Sequence, residues 1–322
     1  MHVSWLTLRV VRKWSEATDI MSFELADPEG ADLPPFTAGS HVDVEVRPGL
    51  VRQYSLCNNP QRRDRYQIAV LRETQSRGGS AAMAEEIRQG MLVRVSEPRN
   101  HFALDPTARR SVLIAGGIGV TPILCMAERL HDTGQAFALH YACRSPDRAA
   151  FRQRLIASPF SDRVHFHFDD GAEEQRLDFE RVLAGPNPQT HLYVCGPPGL
   201  IEVVLAQAKA LGWGDGQVHR EFFAHAPAEA SLSDGAFRIE LSSSGRVFEV
   251  PEDRSITQVL SEHGVDIPVS CEQGVCGTCL TRVLQGQPDH RDFLLTPEEQ
   301  ARNDIMTLCC SRAKSPLLVL DL

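Results

Sequence analysis

Four cysteines near the carboxyl end constrain this chain more than any other feature. Cys271-Glu272-Gln273-Gly274-Val275-Cys276-Gly277-Thr278-Cys279 is followed thirty positions later by Cys309, a C-x4-C-x2-C…C spacing. Four thiolates at this spacing are the ligand set of a plant-type [2Fe–2S] cluster. Gly274 and Gly277 let such a loop fold round the cluster and aim backbone N–H groups at its sulfurs. The competing readings are a zinc knot or unconnected buried thiols. Zinc sites of this kind use two short Cys pairs, and only one C-x2-C is present. Cys310, beside Cys309, falls outside the spacing and reads as structural.

The rest of the chain limits what can accompany that loop. Its 322 residues suffice for two or three domains. No run of about eighteen apolar residues occurs, so no membrane span is expected. Met1-His2-Val3-Ser4-Trp5 lacks the charged and apolar regions of a secretory signal. Nine cysteines, an odd number at irregular spacing, do not form a disulfide framework, and a reducing cytosol is expected. The net charge of −9 divides as −1 over residues 1–105, −3 over 106–234 and −5 over 235–322. This disfavours nucleic acid as a partner. An acidic carboxyl end suits docking to a basic protein patch, and it serves solubility equally well.

Residues 1–105 read as an antiparallel β-barrel. His41–Val46 alternates with valines on one face, as a half-buried strand does, and Tyr66–Leu71 and Leu92–Ser96 are further strands. One helix is expected over 81–89, with Ser80 as N-cap and Gly90 as terminator. Two short stretches here could hold a ligand. Arg52-Gln53-Tyr54-Ser55-Leu56 places Arg52 and Tyr54 on one face with Ser55 beside them. A cation, an aromatic ring and a hydroxyl suit a planar phosphorylated molecule, although a solvated strand with one core Tyr gives the same pattern. Arg77-Gly78-Gly79-Ser80 opens the helix, where free N–H groups favour phosphate.

The period changes over residues 106–225. Strands at 111–115, 137–142, 164–168 and 191–195 alternate with helical segments, and 218–223 would be a fifth. That pattern means βαβ units and a parallel sheet. The first strand runs into Gly116-Gly117-Ile118-Gly119-Val120-Thr121-Pro122, with Thr121 expected at the N-cap and Pro122 at N1. Pro122 takes the place of the third glycine of a Rossmann fingerprint. The glycines still allow a pyrophosphate close to the backbone. Cys195-Gly196-Pro197-Pro198-Gly199 ends another strand on the same carboxyl edge, so the two turns should line one cleft. Residues 226–234 read as a linker. Residues 235–322 give a hairpin, a helix capped by Ser255, the cysteine loop, a strand at 280–284, a helix near 297–302 and a last strand at 317–320, a small α+β domain.

Three motifs in this order, Arg52–Leu56, Gly116–Pro122 with Cys195-Gly196-Pro197, and the cysteine loop, resemble the phthalate dioxygenase reductase family over roughly residues 5–322. The resemblance implies an FMN-binding β-barrel, an NAD-binding α/β domain and a β-grasp ferredoxin domain. By it, Arg52, Tyr54 and Ser55 hold the flavin, and Arg77, Gly78, Gly79 and Ser80 form its phosphate turn. Gly116, Gly117, Gly119 and Pro197 belong to the nucleotide site, with Thr121, Cys195 and Gly196 around the nicotinamide. Glu221 and Phe223 match a terminal E-x-F whose ring covers the flavin. Cys271, Cys276, Cys279 and Cys309 ligate the [2Fe–2S] cluster. NADH is the expected donor, with NADPH the alternative because Arg144-Ser145 follows the second sheet strand. The expected partner is a Rieske-type oxygenase served by a cytosolic monomer. The order is also chemically sensible: nicotinamide gives two electrons together and a [2Fe–2S] centre takes one, so a flavin between them is needed. The alternatives are a reductase for a diiron monooxygenase, where the cluster domain usually comes first, and a non-catalytic iron–sulfur or zinc protein.

Overall fold

The computed structural model describes residues 4–73, 78–223 and 235–322. They form two compact units, residues 1–221 and 222–322. None of the described helices is long and apolar enough to cross a membrane.

The first unit begins with β1 (Trp5–Ala17), β2 (Ile20–Ala26), β3 (His41–Arg47), β4 (Leu50–Ser55), β5 (Tyr66–Leu71), helix α1 (Gly79–Glu85) and β6 (Leu92–Ser96). The strands form one antiparallel sheet in the order β4-β3-β6-β1-β2-β5. It curls until its edge strands β4 and β5 approach each other, a barrel-like closure. Leu8, Val10, Phe23, Val42, Val44 and Ile68 fill its interior. The structure differs from two expectations. β3 is buried on both faces, because the 99–100 segment pairs with it (His41 N–H to Arg99 O, 2.8 Å) and Arg99 forms an ion pair with the buried Asp43. α1 starts earlier and ends sooner than expected. Gly78, at φ 88°, turns the chain into the helix, so Ser80 lies inside it and accepts from Glu73 N–H instead of capping.

The unit continues with β7 (Arg110–Gly116), α2 (Val120–Asp132), β8 (Ala136–Cys143), α3 (Arg152–Ile156), β9 (Val164–Phe168), α4 (Phe179–Leu183), β10 (Thr190–Gly196), α5 (Pro198–Ala210) and β11 (Val218–Phe222). The sheet order is β11-β10-β7-β8-β9, and the pairs β10–β7, β7–β8 and β8–β9 are parallel. The chain runs outward from β7 through β8 to β9, then returns to the other side of β7. The order therefore reverses between β7 and β10, the switch point where ligands bind in such sheets. Val112–Ala115 and Leu192–Cys195 are almost wholly buried, as central parallel strands must be.

The second unit contains β12 (Phe237–Leu241), β13 (Val247–Val250), α6 (Ile256–Glu262), β14 (Leu280–Gln285), β15 (Pro288–Asp289), α7 (Pro297–Arg302), β16 (Ile305–Thr307), β17 (Arg312–Ala313) and β18 (Leu317–Leu320). Five strands pair in the order β13-β12-β18-β14-β16, with β12 and β18 parallel and the other neighbours antiparallel. α6 buries Ile256, Val259 and Leu260 among Ile239, Val250, Met306, Leu308 and Leu318. Ser255 caps it, as the sequence implied, and its bond to Gln258 N–H is returned by the Gln258 side chain in a capping box. Arg312 donates to the carbonyls of Arg254, Gly235 and Pro251 and stacks on Phe237, tying the carboxyl-terminal strands to the start of the unit.

Candidate functional site

The carboxyl ends of β7 and β10 bring the two glycine turns into backbone contact. A Cβ on Gly119 would lie 2.2 Å from Cys195 O, and one on Gly196 would lie 3.0 Å from Gly116 Cα. On Gly116 it would meet Leu200 Cδ2 at 2.4 Å and Pro197 Cδ at 2.8 Å. Only glycine permits this approach, and the cradle it leaves fits a pyrophosphate lying against bare backbone. The local geometry differs from the expected cap. A 3-10 turn over Gly117–Gly119 precedes α2, so Thr121 is the second helical residue and Pro122 the third. The Thr121 hydroxyl, buried, donates to Ile118 O at 3.0 Å and fastens the turn.

On the antiparallel sheet, Arg52 crosses the start of α1. A Cβ on Gly79 would lie 2.4 Å from Arg52 Nε. The strand motif and the glycine turn thus meet, with Gly78 at the N-cap and Ser80 one residue into the helix after Gly79. Arg77 lies outside the described residues. Tyr54 is largely enclosed, and burial raises its phenol above the ordinary range despite Arg52. A cation beside a glycine-opened helix, with an aromatic ring two residues along the strand, fits a phosphorylated planar group.

Ser55 and Glu221 join these two regions. Ser55 Oγ donates to Glu221 Oε2 at 3.3 Å across 166 positions of sequence. Burial pushes the Glu221 carboxyl up to about 8, with the Ser55 hydrogen bond pulling the other way. At neutral pH the side chain therefore holds a proton. Cys195, fully buried, feels the same carboxyl. Its thiol is raised first by burial and then by Glu221, so it is an inert small side chain and no thiolate. Phe223 follows directly after β11 and is partly exposed.

In the second unit the four expected thiols converge. Cys271 Sγ is in hydrogen-bond contact with those of Cys276 and Cys309, and Cys309 with those of Cys279 and Cys310. Gln273 N–H donates to Cys271 Sγ at 3.3 Å, and Val275 N–H does the same. These contacts pull the Cys271 thiol well below its ordinary value, whereas donation and burial raise Cys276 and Cys309. Gly274 (φ 71°) and Gly277 (φ 72°) make the turns, and a Cβ on Gly274 would strike Cys310 Sγ at 2.4 Å. Four clustered sulfurs with amide N–H groups aimed at one of them fit a [2Fe–2S] cluster.

Comparison with known proteins agrees with this geometry. Residues 239–314 match the 2Fe-2S iron-sulfur cluster binding domain, and residues 113–205 match the oxidoreductase NAD-binding domain. The chain is 54% identical to the vanillate O-demethylase oxidoreductase of a Pseudomonas species (strain HR199) over 95% of this chain and 96% of that protein. It is 43% identical to the phthalate dioxygenase reductase of Burkholderia cepacia, over 99% and 98% of the two chains. A solved phthalate dioxygenase reductase, described as a modular structure for electron transfer from pyridine nucleotides to [2Fe–2S], superimposes with a TM-score of 0.73 at 42% identity, covering 99% of this chain and 98% of that one. The chain belongs to the phthalate dioxygenase reductase family. It is an NADH-dependent flavin and iron–sulfur oxidoreductase, a reductase component of an oxygenase system.

For this family member two features escaped the sequence reading. One is the Ser55–Glu221 bond, which no local spacing signals. The other is Asp147, just beyond β8, whose carboxylate accepts from the Thr18 and Ser145 hydroxyls (2.7 and 2.5 Å), which hold it below the ordinary carboxylate range. A carboxylate a few residues past the second parallel strand was the available signal.

Proposed function

We propose that this reductase takes electrons from NADH with FMN as its flavin and serves a Rieske-type oxygenase of the vanillate-demethylating kind. The observation that carries the choice of partner is the 54% identity to a vanillate O-demethylase oxidoreductase over nearly the whole of both chains, against 43% for the phthalate counterpart. Bound FMN supplies the exchange between two-electron and one-electron chemistry.

The chain's own residues position and enclose. Arg52, Gly78, Gly79 and Ser80, with Arg77, would hold the flavin phosphate, and Tyr54 and Ser55 would hold its ring. Gly116, Gly117, Gly119, Gly196 and Pro197 let the dinucleotide lie on the backbone. Thr121 and Cys195 set the shape of that floor: one fastens the turn, and the other puts its carbonyl against Gly119. Glu221, its carboxyl raised by burial, would hold a proton beside Ser55 and so keep a buried negative charge out of the site that would take the nicotinamide. Phe223 supplies a ring at the end of β11. Cys271, Cys276, Cys279 and Cys309 are the cluster ligands. Asp147 favours NADH, because a carboxylate accepts from a ribose hydroxyl and repels a 2′-phosphate. The domains run 1–105, 106–225 and 235–322, with 226–234 as linker, outside the described residues. The five cysteines outside the cluster, none of them in a disulfide, fit a reducing cytosol. The reductase acts as a monomer.

The test is reconstitution. Flavin and cluster bands should bleach with NADH, and the reduced protein should drive demethylation by a vanillate-type oxygenase component faster than ring dihydroxylation by a phthalate-type one. The opposite order of rates would overturn the choice of partner, and a colourless protein would overturn the cofactors.

A further inference from the structure

At the amino-terminal edge of the parallel sheet, away from both glycine turns, we propose that Asp105, His191 and His219 form a binding site for a divalent transition-metal ion of the zinc class. His191 and His219 are the second residues of β10 and β11, which are neighbours in the sheet. His191 Nδ1 lies 2.9 Å from His219 Nε2 and 3.9 Å from Asp105 Oδ2, and all three donor atoms fall within 4.8 Å of one another. A tetrahedral ion bonded at about 2.0–2.2 Å to each places its donors about 3.3–3.6 Å apart. The two imidazole nitrogens, hydrogen-bonded at 2.9 Å, would part by about half an ångström as that bond gives way to the ion, and Asp105 Oδ2 would move in by about 0.3–0.6 Å toward His191 and by at most about 1.5 Å toward His219.

The surrounding residues hold the donors in place. The His219 ring stacks on Tyr193 (centroids 4.6 Å, planes 13° apart) and meets the His191 ring edge to edge through their 2.9 Å hydrogen bond. Tyr193 Oη accepts from Asp105 N–H at 2.8 Å. Thr107 donates through N–H and Oγ1 to Asp105 Oδ1 at 2.7 and 2.5 Å, so that Oδ2 is the oxygen facing the imidazoles. Outer partners of this kind fix the direction of metal ligands. Their protonation suits an ion as well. Burial lowers His219 to about 4, and the Thr107 hydrogen bonds lower Asp105, so neutral imidazole meets carboxylate at neutral pH. Two imidazoles and one carboxylate are a borderline donor set suited to zinc, nickel or ferrous iron. The Asp105 side chain is 30% exposed, which gives an ion a way in.

His191 and Gly196 lie five positions apart along β10, roughly 16 Å at the rise of a strand. The site is therefore apart from the path of electrons. Its effect is mechanical: it ties the segment that leaves the antiparallel sheet to two strands of the parallel one.

The experiment uses untagged, flavin- and cluster-loaded protein, washed with chelator and titrated with zinc chloride in a calorimeter, with iron and sulfide assayed before and after. One zinc should bind per chain, raise the thermal midpoint and leave iron and sulfide unchanged. Asp105→Asn, which keeps the shape, and His219→Ala should each weaken binding at least about tenfold. Unchanged zinc affinity in Asp105→Asn, absence of binding to the parent protein, or zinc uptake matched by iron loss would each overturn the proposal.

Discussion

Replacing Gly119 with alanine tests whether the contact between the two glycine turns governs hydride transfer. Gly119 sits at φ −61° and ψ −7°, a conformation alanine adopts without strain, so the substitution adds a methyl group and nothing else. That methyl would lie 2.2 Å from Cys195 O, 2.4 Å from its carbonyl carbon and 2.6 Å from Gly196 N. All three are backbone atoms, so no side chain can swing aside. Restoring an ordinary contact of 3.4 Å means opening the turns by about 1.2 Å. Overpacking of this size costs about 1–3 kcal/mol. Alanine returns up to about 1 kcal/mol by restricting the unfolded chain. The net loss, about 0–3 kcal/mol, lowers the midpoint of a unit this large by at most roughly 12 °C. The effect on chemistry is larger, because a misplacement near 1 Å can cost on the order of a hundredfold. Stopped-flow reduction of the bound flavin by NADH should therefore slow roughly ten- to hundredfold, with flavin and cluster content unchanged. Gly199→Ala, where a Cβ meets nothing within 4 Å, is the control and should behave as the parent does. A Gly119→Ala protein with parental rate and KM would refute the reasoning.

Other expectations concern charge, electron exit and local folding. Glu221, raised to about 8 by burial, keeps a proton that the unfolded chain releases near the ordinary value of 4.5. Its contribution to stability is full below that ordinary value and is lost as pH rises through about 8, at up to about 1.4 kcal/mol per unit. Glu221→Gln, which mimics the neutral acid, should flatten the fall of thermal midpoint between pH 5 and 8 relative to the parent; parallel curves would contradict the buried proton. Cys276→Ser should keep NADH-driven flavin reduction yet lose delivery to a one-electron protein acceptor, and equal loss of both would contradict a division of labour between the units. Ser255→Ala removes one half of the α6 capping box and should cost about 1 kcal/mol, read as a cluster absorbance that bleaches at lower temperature.

Short-range signals were legible in the sequence. β9, β12, β13, β18 and α7 fall where alternation, turns and caps placed them, because each is bounded by its own punctuation. β1 and β2 were not anticipated. Their pairing breaks register between Val10 and Arg12 and again between Ser15 and Ala17, and such bulges erase the period-two pattern. The Ser80 and Thr121 caps failed for a related reason. A glycine at positive φ in one case and a 3-10 turn in the other started the helix before the residue with the capping side chain. The site divides along the same line. The cysteine loop is encoded within nine residues, whereas the Ser55–Glu221 bond spans 166 and depends on how two sheets pack.

The proposed division of chemistry follows the division of the chain into two units. Of the residues assigned to hydride acceptance, all but Phe223 lie in residues 1–221, and all four cluster thiols lie in 222–322. The second unit has a core of its own, from Phe237 through Leu320, and Arg312 closes it by binding carbonyls at its beginning. Its loop can be drawn tight only because Gly274 carries no side chain where Cys310 Sγ and the Asp292 backbone come within 3 Å of a Cβ position. The same closeness leaves Cys310 touching Cys309 without belonging to the C-x4-C-x2-C spacing. The acceptor of single electrons is thus set by a local, glycine-dependent loop. The residues proposed for the flavin and the nucleotide come from distant segments that meet at a sheet edge. A substitution in one should therefore leave the visible spectrum of the other intact, which is the physical basis for a chain that handles electrons in pairs at one end and singly at the other.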